Sequence, residues 1–275
     1  MTLTILSLYQ KVLPKTNCQD CGLPTCMAFA GMVISEKLKL KKCPHLAPDV
    51  VEQTQLELDE QQAKGIGTKK DLAQDALQWA KERAASMDLE DLPQRIGGAL
   101  RPEGHTLFLE LPYFNGTVRI HKEGMTKGDG STLNRWEQVF LYNHLAQGGS
   151  REPTGIWKGL EEIPNTVSKV KSMRDGVEEP LIERFKGRVQ ELIDAGRSLG
   201  AVEAKEAYPS ADAALLFRPL PRIPVLFLFW DEEEAEGFEA RIKLLFDQTI
   251  VEHLDIESII FLSERLRQLL CGEEE

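Results

Sequence analysis

The sequence predicts an α+β protein in which a small helical module precedes a larger mixed α/β domain with a hairpin and a buried central strand. Three observations indicate this class. Four of the five cysteines fall within residues 18–43, helical apolar patterns recur along the chain, and two regions carry strand patterns instead. We place the module at residues 1–50, a linker at 51–70 and the larger domain at 71–275.

The cysteines of the module have an asymmetric spacing. Cys18 and Cys21 form a C-x2-C pair, Cys26 follows after four residues, and Cys43 comes after another sixteen and directly precedes Pro44. A cubane iron–sulfur cluster needs four thiolates, and cysteine runs that end in Cys-Pro are typical of such sites. Four cysteines would also satisfy tetrahedral zinc, although zinc modules more often carry two matched C-x2-4-C pairs. The spacing favours an iron–sulfur cluster and leaves a structural zinc ion as the alternative.

The residues around the cysteines predict two packed helices. Gly22 and Pro24 allow a sharp turn, and Thr25 is a suitable N-cap for a helix over residues 26–39. The apolar face of this helix is predicted to pack against an N-terminal helix over residues 3–13. That face would contain Met27, Ala30, Ile34 and Leu38.

These residues resemble a known iron–sulfur module. The runs LPKTNC at residues 13–18, CGLPTCMAFA at 21–30 and Cys43-Pro44 are similar to the N-terminal module of the corrinoid iron–sulfur protein large subunit and to a module found in membrane-linked electron transport complexes. The resemblance implies that Cys18, Cys21, Cys26 and Cys43 bind one [4Fe-4S] cluster. It covers only about the first fifty residues, and the remainder does not resemble the corrinoid domains of that large subunit.

The larger domain begins with a helix and a hairpin. We predict a helix over residues 71–87 and a hairpin whose two-residue turn is Asn115-Gly116. The glycine-rich segment 124–130 lacks the P-loop order of residues, so we interpret it as a flexible loop. Ser131 or Thr132 would then cap the following helix.

The second half alternates helices and strands. Helical spacing predicts a helix of about five turns over residues 181–199, and the apolar run VLFLFW at 225–230 predicts a fully buried strand. We predict a helix through residues 231–246 and a final helix over 255–270.

This larger segment also resembles a known family. The runs WEQVFLY at 136–142, PTGIW at 153–157, PLPRIPV at 219–225 and LFD at 245–247 are similar to an uncharacterised domain family of anaerobic microbes. That family often follows the same cluster module. The resemblance implies one domain from about residue 71 to the end, and it supplies no reaction.

Composition and charge exclude several classes of protein. No apolar run approaches the ~18 residues of a membrane-spanning helix, and no secretion signal is visible, so we expect a cytoplasmic protein without a membrane span. A net charge of −11 disfavours nucleic-acid binding. Residues 1–50 nevertheless carry net +3, against −14 for the remainder. The lysines within residues 37–42 would either attract an acidic redox partner or offset the charge of the cluster and of the rest of the chain.

Three functions remain open from the sequence. The favoured one is one-electron transfer to a redox protein partner, in anaerobic one-carbon or corrinoid-linked metabolism as the resemblance implies. The second is an enzyme served by the cluster, although no nucleophile–base pair is visible and its catalytic residues are unknown. Its candidate residues are Trp136, Trp157, Arg218, Arg222 and Asp231. The third is a structural or sensing module folded by the cluster or by zinc.

Overall fold

The computed structural model describes residues 3–35, 38–63, 72–232 and 237–273. The chain divides into unit 1 (Met1–Asp75) and unit 2 (Ala76–Glu275). This is an α+β architecture, as the sequence predicts, with a helical first part and antiparallel sheets in the second. Across the described ranges, no helix is both long and apolar enough to cross a membrane.

Unit 1 is built from short helices. They are α1 (Ile5–Lys11), α2 (Cys26–Ser35), a 3₁₀ turn (Leu40–Lys42) and α3 (Pro48–Ala63). Thr25 caps α2 as predicted, because its Oγ1 accepts the Ala28 N–H at 3.0 Å. Helix α2 ends at Ser35 rather than at residue 39, and residues 36–37 lie outside the described part of the chain.

The buried face of α2 differs in part from the predicted one. Cys26 is 7% exposed, and each following residue of a helix turns by about 100°, so its neighbour Met27 points outward and is 39% exposed. The prediction for Met27 was therefore wrong. Ala30 and Ile34 are buried as predicted, together with Phe29 and Val33.

Helix α3 contains part of the segment predicted as a linker. Its Leu58 is fully buried in the core of unit 1. Gln61 ties α3 to the N-terminus, because its side chain accepts the Leu3 N–H at 2.7 Å and donates to the Leu3 carbonyl at 2.8 Å. Residues 64–70 lie outside the described ranges, so the position of the linker stays a prediction.

Unit 2 combines helices with two sheets. Helix α4 (Leu72–Ala84) crosses the division between the units. The other helices are α5 (Leu92–Ile96), α6 (Arg135–Gln147), α7 (Val167–Met173), α8 (Glu179–Phe185), α9 (Val189–Ser198), α10 (Ile250–His253) and α11 (Ile256–Cys271), with a π-helical turn (Arg174–Glu178) between α7 and α8. The final helix confirms the prediction for residues 255–270, and Asp255 caps it.

The first sheet is an antiparallel meander. Its strands are β1 (Ala99–Glu103), β2 (Thr106–Tyr113), β3 (Gly116–Ile120) and β4 (Met125–Lys127), in that spatial order. The predicted hairpin is present, but Tyr113 pairs with Gly116, so the turn residues are Phe114 and Asn115. Tertiary bonds fix this turn: the Phe114 N–H donates to the Pro219 carbonyl and the Asn115 amide to that of Ser198.

The segment predicted as a flexible loop contains strand β4. Met125 pairs with Ile120 and Lys127 with Val118, so this segment joins the sheet. The cap of α6 is Asn134 rather than Ser131 or Thr132. Asn134 and Glu137 form a reciprocal capping box, which satisfies two otherwise free backbone N–H groups.

The second sheet explains the long apolar run in the sequence. Its strands are β5 (Trp157–Gly159), β6 (Val202–Glu203), β7 (Ala213–Leu220), β8 (Ile223–Trp230) and β9 (Arg241–Asp247), in the antiparallel order β5-β9-β8-β7-β6. Central strand β8 is buried on both faces. Phe227 and Phe229 enter the main core, whereas Leu226 and Leu228 enter a smaller cluster.

Two predicted helices take other forms. Residues 241–247 form strand β9, in which Ile242, Leu244 and Phe246 are buried with a period of two. Residues 233–236 of that predicted helix lie outside the described ranges. The helix predicted over 181–199 is two helices, because Gly187 takes φ +69° between α8 and α9.

Candidate metal centre

Unit 1 contains all four predicted cysteines. Cys18 and Cys21 lie on the loop between α1 and α2, Cys26 begins α2, and Cys43 follows the 3₁₀ turn. All four are free thiols. Cys26 and Cys43 are buried at 7% exposure, Cys21 is half-buried and Cys18 is exposed. The site therefore has a buried side and a side open to solvent.

The other three cysteines influence the pKa of the Cys43 thiol. Burial is the main factor that raises the pKa of the Cys43 thiol, and a hydrogen bond from the His45 backbone N–H opposes it. The charges of Cys21, Cys26 and Cys18 raise this pKa further. Thiolates that act on one another in this way repel unless a cationic centre offsets their charge. The donor set thus fits an iron–sulfur cluster, and it also fits zinc.

The backbone of the cysteine loop has an unusual conformation. Lys15, Asn17 and Gln19 take φ values of +61°, +51° and +67°, three of the five positive-φ residues other than glycine in the described ranges. Gly22 takes φ +82°, and its N–H donates to the Gln19 carbonyl at 2.8 Å. Such backbone angles are uncommon for side chains with a Cβ and persist where surrounding contacts enforce them.

The side chain of Asn17 makes one of the contacts that hold this backbone conformation. Its Oδ1 accepts the backbone N–H of Cys26 at 2.8 Å, which links the start of the loop to the first residue of α2. Sequence reasoning noticed the glycine of the loop but missed Asn17. The available signal was its type, since asparagine is enriched at positive φ.

A second link joins the loop to the segment after Cys43. His45 Nε2 lies 2.6 Å from Asp20 Oδ2, and both side chains are about half exposed. Ligand atoms of Asp20, His45 and Cys18 all lie within 4.8 Å of one another. The hydrogen bond with His45 is the main factor that lowers the pKa of the Asp20 carboxyl, and a hydrogen bond with Cys18 lowers it further. Sequence reasoning missed this pair because its members are 25 residues apart.

The predicted basic segment is only partly available to a partner. Lys39 pairs with Asp59 at 3.0 Å, whereas Lys41 and Lys42 are exposed. Lys37 lies outside the described residues.

Three of the residues named for a catalytic site contact other parts of unit 2. Trp136 stacks on Phe261 at 4.6 Å. Arg222 donates to Glu152 and to the backbone carbonyl of Arg95. Asp231 accepts the Gly187 N–H. Within the described ranges, no hydrogen bond, ion pair or ring contact joins any two of Trp136, Trp157, Arg218, Arg222 and Asp231.

Comparison with known families divides the chain in two. Residues 13–45 match the family described as "Putative Fe-S cluster", and residues 88–269 match the family described as "Domain of unknown function (DUF3786)". The first segment contains all four clustered cysteines. The second covers most of unit 2. No solved structure matches the chain.

Curated relatives match only the N-terminal region of the chain. The corrinoid/iron-sulfur protein large subunit of Moorella thermoacetica is 51% identical over 47 residues, which is 17% of this chain and 10% of that protein. The acetyl-CoA decarbonylase/synthase complex subunit gamma of Methanocaldococcus jannaschii is 50% identical over 36 residues, 13% of this chain and 7% of that protein. The gamma 1 subunit of the corresponding complex of Methanosarcina thermophila is 51% identical over 39 residues, which is 14% of this chain and 8% of that protein. The chain thus spans about a tenth or less of these relatives.

Proposed function

The chain belongs to the family catalogued as Domain of unknown function (DUF3786), and we propose that it is an electron-transfer protein with one [4Fe-4S] cluster in its N-terminal unit. Cys18, Cys21, Cys26 and Cys43 would hold the cluster. Such a cluster supplies a one-electron couple when bound. The observation that carries the proposal is that these four free thiols, three of which act electrostatically on Cys43, lie in a segment that matches an Fe-S family.

The surroundings of the thiols support exchange of electrons with a partner. Cys18 is exposed on the open side of the site, whereas Cys26 and Cys43 anchor the buried side in the core of unit 1. The relatives over this segment are named for corrinoid/iron–sulfur and acetyl-CoA decarbonylase/synthase proteins. We therefore propose a role as an electron-transfer accessory in anaerobic one-carbon or corrinoid-linked metabolism. We also propose residence in the cytoplasm, because cysteines that bind a metal centre must stay reduced.

Elemental analysis with EPR spectroscopy tests the cofactor. We expect anaerobically purified protein to contain about four iron and four sulfide per chain, with a reduced-cluster EPR signal after dithionite. Cys43→Ser should lose most of this signal. Cys271→Ser is the matched control, since Cys271 lies in unit 2 outside the cluster set, and it should retain the full content. Zinc without sulfide would overturn the proposal and identify the four cysteines as a structural zinc site.

An acidic redox protein is the proposed partner. Lys41 and Lys42 are exposed next to Cys43 in the sequence, so they would attract an anionic electron acceptor. In the double variant Lys41→Gln/Lys42→Gln, we expect cluster oxidation by anionic ferric EDTA to slow about two- to tenfold at low salt. Oxidation by cationic cobalt hexammine should not slow.

Two controls separate this effect from a general loss of charge. Lys171→Gln removes a lysine of unit 2 whose side chain is 85% exposed and should leave both rates unchanged. The difference between the double variant and the native protein should vanish at high salt. Equal slowing with both oxidants would show that the lysines do not steer an anionic partner.

A further inference from the structure

A cleft in unit 2 is formed by four elements of the fold. The β2–β3 turn, the end of β4, the start of α6 and the end of α11 enclose two adjoining lobes of about 340 and 530 Å³. Both lobes are lined by Lys127, Glu137, Arg265 and Leu269. These volumes lie in the range of small-molecule sites. The cleft contains the end of the glycine-rich segment noted in the sequence.

The floor of the cleft is a buried carboxylate with several donors. Glu137 is 1% exposed. Its Oε1 accepts from the Tyr113 hydroxyl at 2.8 Å and from Arg265 Nε at 2.9 Å, and its Oε2 accepts the Asn134 N–H at 2.8 Å. The hydrogen-bonding capacity of this carboxylate is therefore largely used within the protein.

The ion pair with Glu137 holds Arg265 at the wall of the cleft. Arg265 Nε donates to Glu137 and Nη1 donates to Gln268, while its side chain is 11% exposed. The Tyr113 hydroxyl also lies within hydrogen-bonding reach of Arg265. The guanidinium is thus held in a fixed position beside a space large enough for a small ligand.

Lys127 adds a second cation to the same cleft. It is half-buried and forms no ion pair among the described residues. Hydrogen bonds from Ser131, and then the charge of Lys127, lower the pKa of the Asp129 carboxyl, so Asp129 partly offsets the charge of Lys127. The other carboxylates that line the cleft are engaged: Asp129 accepts from Ser131, and Glu273 pairs with Arg267. The cleft is therefore lined by two cations, Lys127 and Arg265, and by three carboxylates that each have at least one hydrogen-bond or ion-pair partner.

We propose that this cleft binds a small organic anion, with its phosphate or carboxylate group held between Arg265 and Lys127. The planar guanidinium matches either group, and lysine adds a point charge. Phe114, Leu133 and Leu269 line the remainder of the cleft with apolar surface, so the ligand carries an apolar part as well. The proposal is independent of the cluster in unit 1.

Calorimetry with the holoprotein tests this site. The probes are phenyl phosphate, benzoate and the neutral analogue phenol. We expect saturable binding of at least one anion and none of phenol. Comparison of the two anions identifies the head group. No saturable heat with either anion up to about 10 mM would overturn the proposal, since this range includes very weak binding.

Variants locate the binding to this cleft. Lys127→Gln should weaken binding about tenfold or more, as expected for loss of a charged hydrogen bond. Arg265→Lys keeps a positive charge near Glu137 but removes the planar fork, so it should weaken binding without unpairing that carboxylate. Lys122→Gln is the matched control outside this cleft and should bind within twofold of the native protein. Binding that Lys127→Gln leaves unchanged would place the anion elsewhere and overturn the proposal.

Discussion

His144 and His253 are buried side chains of unit 2 whose rings have unusual hydrogen bonding. His144 Nδ1 donates to the His253 carbonyl and His253 Nε2 donates to the Arg151 carbonyl, each at 3.0 Å. In the described structure, the other ring nitrogen of each residue is buried without a partner. Burial, together with the charges of His253, Arg95 and Arg222, lowers the pKa of His144 to about 4, while the hydrogen bond to the His253 carbonyl opposes this shift. Burial likewise lowers the pKa of His253.

These histidines predict a loss of stability in acid. The unfolded chain binds a proton at His144 near pH 6.5, whereas the folded protein binds it only near pH 4. The contribution of neutral His144 to the free energy of unfolding is therefore complete above pH 6.5 and is lost as the pH drops towards 4. The loss is about 1.4 kcal/mol per pH unit for each proton of this kind. Urea unfolding at a series of pH values measures this slope.

Variants assign the slope to its residue. His144→Gln should reduce this slope by about 1.4 kcal/mol per pH unit, the equivalent of one bound proton, because glutamine does not titrate. His105→Gln replaces an exposed histidine and should keep the native slope. If His144→Gln and the native protein lost stability with the same slope, another group would be responsible.

At the scale of elements, tertiary contacts changed several predictions made from local pattern. Strand β9 alternates Ile242, Leu244 and Phe246. The predicted helix depended instead on the helical spacing of residues 238, 242, 245 and 246 after an acidic run. Pairing of β9 with both β8 and β5 decided the conformation. The turn after β2 lies one residue earlier than predicted, because Phe114 and Asn115 donate hydrogen bonds to distant backbone carbonyls.

Strand β1 depends on a glycine at its entry. Gly98 takes φ +84°, and a Cβ there would lie 2.7 Å from the Glu110 carbonyl oxygen of β2. We expect Gly98→Ala to lower the free energy of unfolding by about 3 kcal/mol, from backbone strain and overpacking together.

Gly104 supplies the matched control for this strand. It takes φ +62°, but a Cβ at this position would meet no atom within 4 Å. Gly104→Ala should therefore cost only the backbone strain, about 1 kcal/mol. Denaturant unfolding measures both values, and equal losses in the two variants would show that the approach of Glu110 does not constrain β1.

At the scale of the whole molecule, the two units differ in what stabilises them. The core of unit 2 contains both sheets and most of its helices. The core of unit 1 is smaller, and its buried side chains include Cys26 and Cys43. A small core gains much of its stability from bound metal, because the folded site binds the metal and the unfolded chain does not.

Removal of the metal should therefore affect the units unequally. Under reducing conditions, an iron chelator should increase hydrogen exchange in α2 and α3 while unit 2 keeps its protection. Hydrogen exchange with mass spectrometry measures both units in one sample. Reconstitution with iron and sulfide should restore the protection of unit 1. Unchanged exchange in α2 after complete removal of iron would show that unit 1 folds without its metal.

Features that depend on neighbouring residues were predictable from the sequence alone. Thr25 predicted the cap of α2 and the apolar run at residues 225–230 predicted a buried strand, and both are confirmed. The cysteine spacing predicted the metal site in unit 1, and the ligand set stays a prediction. Each depends on residue types along a short segment, where covalent geometry and period constrain the conformation.

Contacts between distant residues depend instead on the tertiary structure. It placed Asp20 beside His45 across the cysteine site, and Glu137 beside Arg265 across 128 residues of chain. It also divided residues 181–199 into two helices and made residues 241–247 a strand. The physical reason is that sheet register and helix packing select these contacts, and spacing in a single sequence does not specify either one.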